Sequence, residues 1–135
     1  MERRDFVRAA VSGAAVAAGV GLAGSAEAAG DGSWTNVVFT ESDPGHFAKV
    51  EKLHVPLVVH EGAMLKVTTP HPMSEPHYIV SHTVVLEGGR FLSRKTFNWK
   101  DKPVSEHKLP AGYKGRVTVT STCNLHDWWV KEVTV

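Results

Sequence analysis

An antiparallel β-sandwich is the fold this sequence predicts, and three observations predict it. Short β-prone runs recur between turn-forming residues from residue 37 onward. No stretch in that region carries a convincing helical period. Val117 and Val119 alternate with Thr118 and Thr120, the period-two pattern of a strand with one buried face. About seven short strands in one domain, with frequent Gly and Pro, fit two packed sheets in an all-β fold.

The segments follow in chain order. Glu2-Arg3-Arg4-Asp5-Phe6-Val7 sets a twin arginine before an apolar residue, and Ala9 to Ala23 carries no charge. Ala26-Glu27-Ala28 then has small residues at both ends of an A-x-A site. A charged start, a short apolar stretch and a small-residue exit are the three parts of a secretory signal. The stretch is about 15 residues, short of the roughly 20 that a membrane helix needs. The arginine pair favours the twin-arginine route over an ordinary Sec signal or a retained anchor. Residues 1–28 are therefore expected to be a twin-arginine signal peptide, and residues 29–135 a single periplasmic domain with no membrane attachment after cleavage. Residues 29–35 read as a leader. Val37 to Phe39, Val55 to Val59 and Met64 to Thr68 are brief strands. His77 to Leu86 is longer and ends at Glu87-Gly88-Gly89-Arg90, a hairpin signal, with Arg90 to Phe97 returning. Gly112 and Gly115 bracket a turn before Arg116 to Thr122, and Trp128 to Val135 closes the chain.

Charge excludes some partners. The chain has 15 Lys and Arg against 14 Asp and Glu, a net charge of +1. Loss of residues 1–28 removes equal numbers of each sign. Without a basic patch, nucleic acid is not an expected partner. Cysteine usage says more. Exported proteins use cysteines in pairs, yet Cys123 is the single cysteine here and cannot form an internal disulfide. An odd cysteine of this kind suggests an intermolecular bond or a reactive or liganding thiol.

Three islands carry residues suited to chemistry: Glu51-Lys52-Leu53-His54-Val55-Pro56, His71-Pro72-Met73-Ser74-Glu75-Pro76-His77-Tyr78-Ile79 and Cys123-Asn124-Leu125-His126-Asp127-Trp128-Trp129. Cys123 and His126, just past a strand, can face one point if the chain turns tightly, and Asn124 and Asp127 favour such a turn. Thiolate is a soft donor, while imidazole suits iron, copper, zinc and nickel. Pro72 and Pro76 argue against a helix between His71 and His77 and stiffen a loop that can present both rings. His54 stands at the start of a strand held by Pro56. Taken singly, each island also fits a bland reading: a buried structural cysteine, a proline-rich surface loop, a histidine at a strand edge. His46, His60, His82 and His107 lie outside the islands, and His60 and His82 fall within strand runs as packing or surface residues.

Together the islands resemble the iron domain of superoxide reductases, the desulfoferrodoxin and neelaredoxin family. That family carries an E-K-H-V-P stretch, an H-P-M-x-x-x-H-Y-I stretch and a C-N-L-H-G-x-W stretch, and residues 46 to 130 match them in order. The resemblance implies an immunoglobulin-like sandwich. It also implies one mononuclear iron per chain, cycling between ferrous and ferric, with His54, His71, His77 and His126 as equatorial ligands and Cys123 as the axial thiolate. The implied activity is one-electron reduction of superoxide to hydrogen peroxide, with Lys52 and Glu51 as the catalytic pair. The family's two-iron members carry a four-cysteine centre that a single cysteine cannot build, so an external small redox protein is the expected electron donor. Relatives occur as dimers and tetramers, which leaves a homo-oligomer open.

Two departures from the family pattern stand out. Leu53 intervenes between Lys52 and His54, which are adjacent in the family. If residues 52 to 54 are extended, Lys52 shares His54's face and Glu51 takes the other; a bulge at Leu53 restores the family arrangement. Asp127 replaces a glycine, at a modest cost if that position is left-handed. Two other functions draw on the same residues. A cupredoxin, a copper electron carrier, needs two histidines, a cysteine and usually a downstream methionine, and no methionine follows Met73. A non-catalytic iron-binding or sensor module of the same fold takes its support from Leu53. A Cys-His hydrolase lacks an orienting third residue.

Overall fold

The computed structural model describes residues 33–135, so the expected signal segment lies outside the described residues. Eight strands follow: β1 (Val38–Phe39), β2 (Leu57–Glu61), β3 (Met64–Thr68), β4 (Ile79–Leu86), β5 (Arg90–Thr96), β6 (Val104–Lys108), β7 (Arg116–Cys123) and β8 (Asp127–Thr134). They form a five-stranded sheet in the order β1-β8-β7-β4-β5 and a three-stranded sheet in the order β2-β3-β6. All pairings are antiparallel except β1 with β8, which run parallel with Val38 opposite Trp128. The expected sandwich is present, with one strand more than expected.

The extra strand is β6, and its composition hid it. Val104-Ser105-Glu106-His107-Lys108 has little apolar character, yet Ser105 and His107 are the residues it buries. Elsewhere the apolar pattern sets the register. Val117 and Val119 of β7 are fully buried and join Leu65, Val67, Val84, Leu86 and Leu109 in the main core. Tight turns close the hairpins. Gly62, between Glu61 and Met64, has φ +58°, and Gly88 and Gly89 have φ +75° and +79° between β4 and β5. These are values that residues with a Cβ rarely adopt.

A helical segment that the strand-based reading does not anticipate precedes β2. Gly45–Val50 winds as a tight helix of about three residues per turn kinked at Phe47, and it runs into one turn of α-helix, α1 (Glu51–His54). Phe47 and Val50 pack on the buried cluster of Phe39, Val55 and Trp129, and His54 is buried on the same side. That spacing of three and four is the helical signal, in a run too short to stand out. Pro56 ends it: the residue before a proline disfavours the α region, and Val55 is extended at ψ 123°.

His82 of β4 lies fully inside the sandwich, its ring nitrogens 2.8 Å from the hydroxyls of Thr69 and Ser105. Burial, with a smaller contribution from His107, lowers its pKa from 6.5 to about 4. The unfolded chain therefore binds the proton that the folded chain refuses between about pH 6.5 and 4. Stability should be intact above that window and fall as pH drops through it, by up to about 3 kcal/mol from this group. His82→Gln should flatten the acid limb of the melting temperature between pH 7 and 4.5. Parallel pH profiles of the two proteins would count against this origin.

Candidate metal centre

The first donor comes from α1. The His54 Nδ1–H donates to the Val50 carbonyl at 2.8 Å. A carbonyl only accepts, so the proton sits on Nδ1 and Nε2 keeps its lone pair. The ring lies on Trp129, centroids 5.5 Å apart and planes 30° apart. The second and third donors come from the loop between β3 and β4. There the Ser74 and His77 backbones exchange hydrogen bonds of 2.9 and 3.0 Å, closing a tight turn that presents His77. His71 is held by its N–H on the Thr69 carbonyl at 2.8 Å. The last two donors flank the β7–β8 turn. Cys123 ends β7 opposite Asp127, the first residue of β8, and His126 lies within the turn. Asp127 has φ +59°, the left-handed conformation in which an aspartate pays the modest cost that a glycine avoids.

These elements bring one donor atom from each of His54, His71, His77, His126 and Cys123 within 4.8 Å of one another. The His77 Nε2 is 3.0 Å from both His71 Nε2 and His126 Nδ1. The Cys123 Sγ is 4.0 Å from His71 Nε2 and 3.6 Å from His126 Nδ1. Hydrogen bonding alone does not account for the cluster. A ring nitrogen has one in-plane site, either a proton or a lone pair, so His77 Nε2 cannot make a good hydrogen bond to both neighbours, and the buried Nε2 of His54 has no hydrogen-bond partner. Donors about 2.1 Å from a common centre stand about 3.0 Å apart at right angles, the spacing that a metal ion accounts for. Soft sulfur with four imidazoles suits a first-row transition metal, iron among them.

The electrostatics favour the same reading. Burial lowers the pKa of His54 and His126 and brings that of His71 to about 4, with the neighbouring histidines adding to the effect. These rings are neutral near pH 7 and offer lone pairs. Burial raises the Cys123 thiol against the lowering pull of the Leu125 and His126 backbone N–H groups, so a metal that binds it must displace the proton. His54, His71 and Cys123 are buried while His77 and His126 are half-buried. The cluster is thus closed behind and reaches solvent at His77 and His126.

All five expected ligand residues therefore converge. Lys52 and Glu51 do not follow the extended-chain expectation, because the segment is helical. At about 100° per residue, Glu51 shares His54's face and Lys52 lies on the far side. Lys52 is exposed and forms no ion pair among the described residues. Asn124 does more than favour a turn. Its amide accepts from the Tyr78 N–H at 2.9 Å and donates to the Pro76 carbonyl at 3.0 Å, clipping the Cys123–His126 turn onto the His77 loop. Trp129 likewise holds the turn, its indole N–H donating to the His126 carbonyl at 2.9 Å. Met73, the methionine nearest a ligand in sequence, turns its sulfur to the Ile79 N–H at 3.3 Å. His46, His60, His82 and His107 stand outside the cluster.

The fold and the cluster define a class: two-sheet sandwiches with an imidazole and thiolate centre beyond one end of the apolar core. The desulfoferrodoxin family profile matches residues 46–132, and the chain belongs to that family. It is 30% identical over 97 residues to a superoxide reductase of Pyrococcus horikoshii, covering 59% of this chain and 84% of that one. Among solved structures it is similar to the superoxide reductase (neelaredoxin) of Ignicoccus hospitalis, with TM-score 0.62, 22% identity and coverage of 76% and 97% of the two chains. The one-iron superoxide reductase of Giardia intestinalis gives TM-score 0.55 and 22% identity over 62% of this chain and 99% of that one. At that identity the two structures speak for the fold.

Proposed function

We propose that the chain is a superoxide reductase, holding one mononuclear iron through His54, His71, His77, His126 and Cys123. The convergence of five donors within 4.8 Å carries this reading. When bound, iron supplies the single electron, passing from ferrous to ferric, and two protons complete hydrogen peroxide from superoxide. The four neutral rings bring no charge and the thiolate brings one negative charge. The ligands therefore leave a net positive centre that favours an anion. The buried side keeps water from the thiolate, and His77 and His126 face the solvent from which superoxide arrives. The copper-carrier alternative loses support because the Met73 sulfur is engaged elsewhere. Metal analysis with the spectrum of the oxidised protein tests the assignment. About one iron per chain and a thiolate-to-iron absorption band are expected, and tightly bound copper without iron would overturn it.

Lys52 and Glu51 complete the proposal. Glu51, on the His54 face of α1, is the carboxylate that would approach a metal held by the cluster. Lys52 acts through its field, drawing the anion from solvent. Lys52→Ala should slow the second-order reaction severalfold at low ionic strength and flatten its salt dependence with iron content unchanged. The attraction is screened over about 8 Å at physiological salt. Lys52→Arg should restore part of both effects. Equal rates for Lys52→Ala and wild type across a salt series would remove Lys52 from the account. The sequence supports export by the twin-arginine route to the periplasm. The single cysteine, already in the centre, supports an external small redox protein as donor. All five donors come from one chain, so any homo-oligomer forms around complete sites.

A further inference from the structure

The inward face of β7 changes character along its length. Val117 and Val119 sit in the apolar core, Ser121 follows, and Cys123 follows that, all four buried. At the level of Ser121 lies a continuous polar layer. The Ser121 hydroxyl is 2.7 Å from that of Thr69, which is 2.8 Å from His82 Nε2. The His82 Nδ1 is 2.8 Å from the Ser105 hydroxyl, which is 2.7 Å from His107 Nε2, and His107 Nδ1 is 2.6 Å from the Ser93 hydroxyl. Five of the six residues are buried. Each hydroxyl and each neutral ring carries one proton, so a single donor direction along the chain satisfies all five bonds.

Four of those bonds cross between the sheets. Ser121, His82 and Ser93 belong to β7, β4 and β5, whereas Ser105 and His107 belong to β6. Thr69 directly follows β3 and donates its N–H to the Pro103 carbonyl just ahead of β6, at 3.0 Å. The layer's site-facing end reaches both ligand-bearing segments. Ser121 is two residues before Cys123 on the same face, and Thr69 is two residues before His71, whose N–H its carbonyl accepts. The His82 ring also meets the edge of Phe97, centroids 4.9 Å apart, and Phe97 packs in one cluster with Ile79 and Cys123. Apolar contacts tolerate sliding between sheets, whereas hydrogen bonds specify distance and direction.

We propose that Thr69, Ser121 and His82 are positioning residues for the metal centre: their layer sets the gap across which the Cys123 sulfur faces His71. The proposal rests on the iron reading above. It adds that the thiolate's placement depends on hydroxyls that touch neither metal nor substrate. Thr69→Val keeps shape but leaves His82 Nε2 and the Ser121 hydroxyl without their shared partner, and Thr69→Ser keeps the hydroxyl. Ser121→Ala serves if Thr69→Val does not fold. Val119→Ala, one step back on the same face, is the control for lost packing.

In the iron-loaded protein, Thr69→Val and Ser121→Ala should shift the thiolate-to-iron band and speed iron loss to a chelator about tenfold, the scale of a lost supporting hydrogen bond at a metal site. Thr69→Ser should behave as wild type. Val119→Ala should lower the melting temperature and leave the band in place. A wild-type band and iron loss in Thr69→Val, no recovery in Thr69→Ser, or an equal shift in Val119→Ala would overturn the proposal. If the wild type itself shows no iron band, the iron reading fails separately. The layer is then judged in the metal-free protein, where Thr69→Val should let Cys123 be alkylated severalfold faster than wild type or Thr69→Ser, and equal rates overturn it.

Discussion

Cys123→Ser is expected to abolish the thiolate-to-iron absorption and to slow superoxide reduction by more than about a hundredfold, since losing only a supporting partner at a metal site costs 10–100-fold. Cys123 is 2% exposed, and serine is near enough in size to keep the fold. The change is therefore chemical. A hydroxyl is a hard, weak donor that stays protonated where a thiol yields its proton to a metal. Spectra of the oxidised variant and stopped-flow mixing with superoxide measure both effects. A retained band would place the thiolate outside the centre.

His54→Ala should produce the second large effect, on iron retention and stability together. His54 is 1% exposed, rests on Trp129, and lies 4.6 Å from His71 and 4.7 Å from His126 between ring centroids. Its removal leaves a cavity beneath the centre at a cost of about 2–5 kcal/mol, and it takes away one of the five donors. The variant should melt lower and purify with little iron. His60→Ala provides the contrast, because His60 is exposed and its ring bonds the Gly62 carbonyl, away from the cluster. If His60→Ala loses iron while His54→Ala keeps it, the first island has been assigned to the wrong histidine.

The candidate donors stood out in the sequence as three islands, and the family resemblance, rather than spacing alone, joined His54, His71, His77, Cys123 and His126 into one set. Cys123 and His126 bracket a turn, and prolines hold His71 and His77 on one loop. The strands were legible wherever one face is apolar, as in β3, β4 and β7. Where the buried face is polar, periodicity is silent: β6 buries Ser105 and His107, and the layer through Thr69, His82 and Ser121 has no apolar signature. The turn of α1 escaped for another reason. Together with the preceding Gly45–Val50 it presents a face of Phe47, Val50 and His54 over too few residues to declare a period, and tertiary packing on Phe39 and Trp129 decides it. Leu53 thereby takes on a different meaning. In an extended strand it would send Glu51 away from His54, whereas in the helical turn Leu53 itself points outward, 45% exposed, and Glu51 comes round to the His54 side.

The balance between superoxide consumed and peroxide formed tests the central claim most directly. The iron-loaded, reduced protein is exposed to less superoxide than protein in a pulse-radiolysis cell, and peroxide and oxygen are quantified. Reduction at this centre predicts one hydrogen peroxide for each superoxide, with no oxygen released and the thiolate-to-iron band rising in step. One peroxide for every two superoxide ions, with oxygen evolved, or no reaction at all, would contradict it.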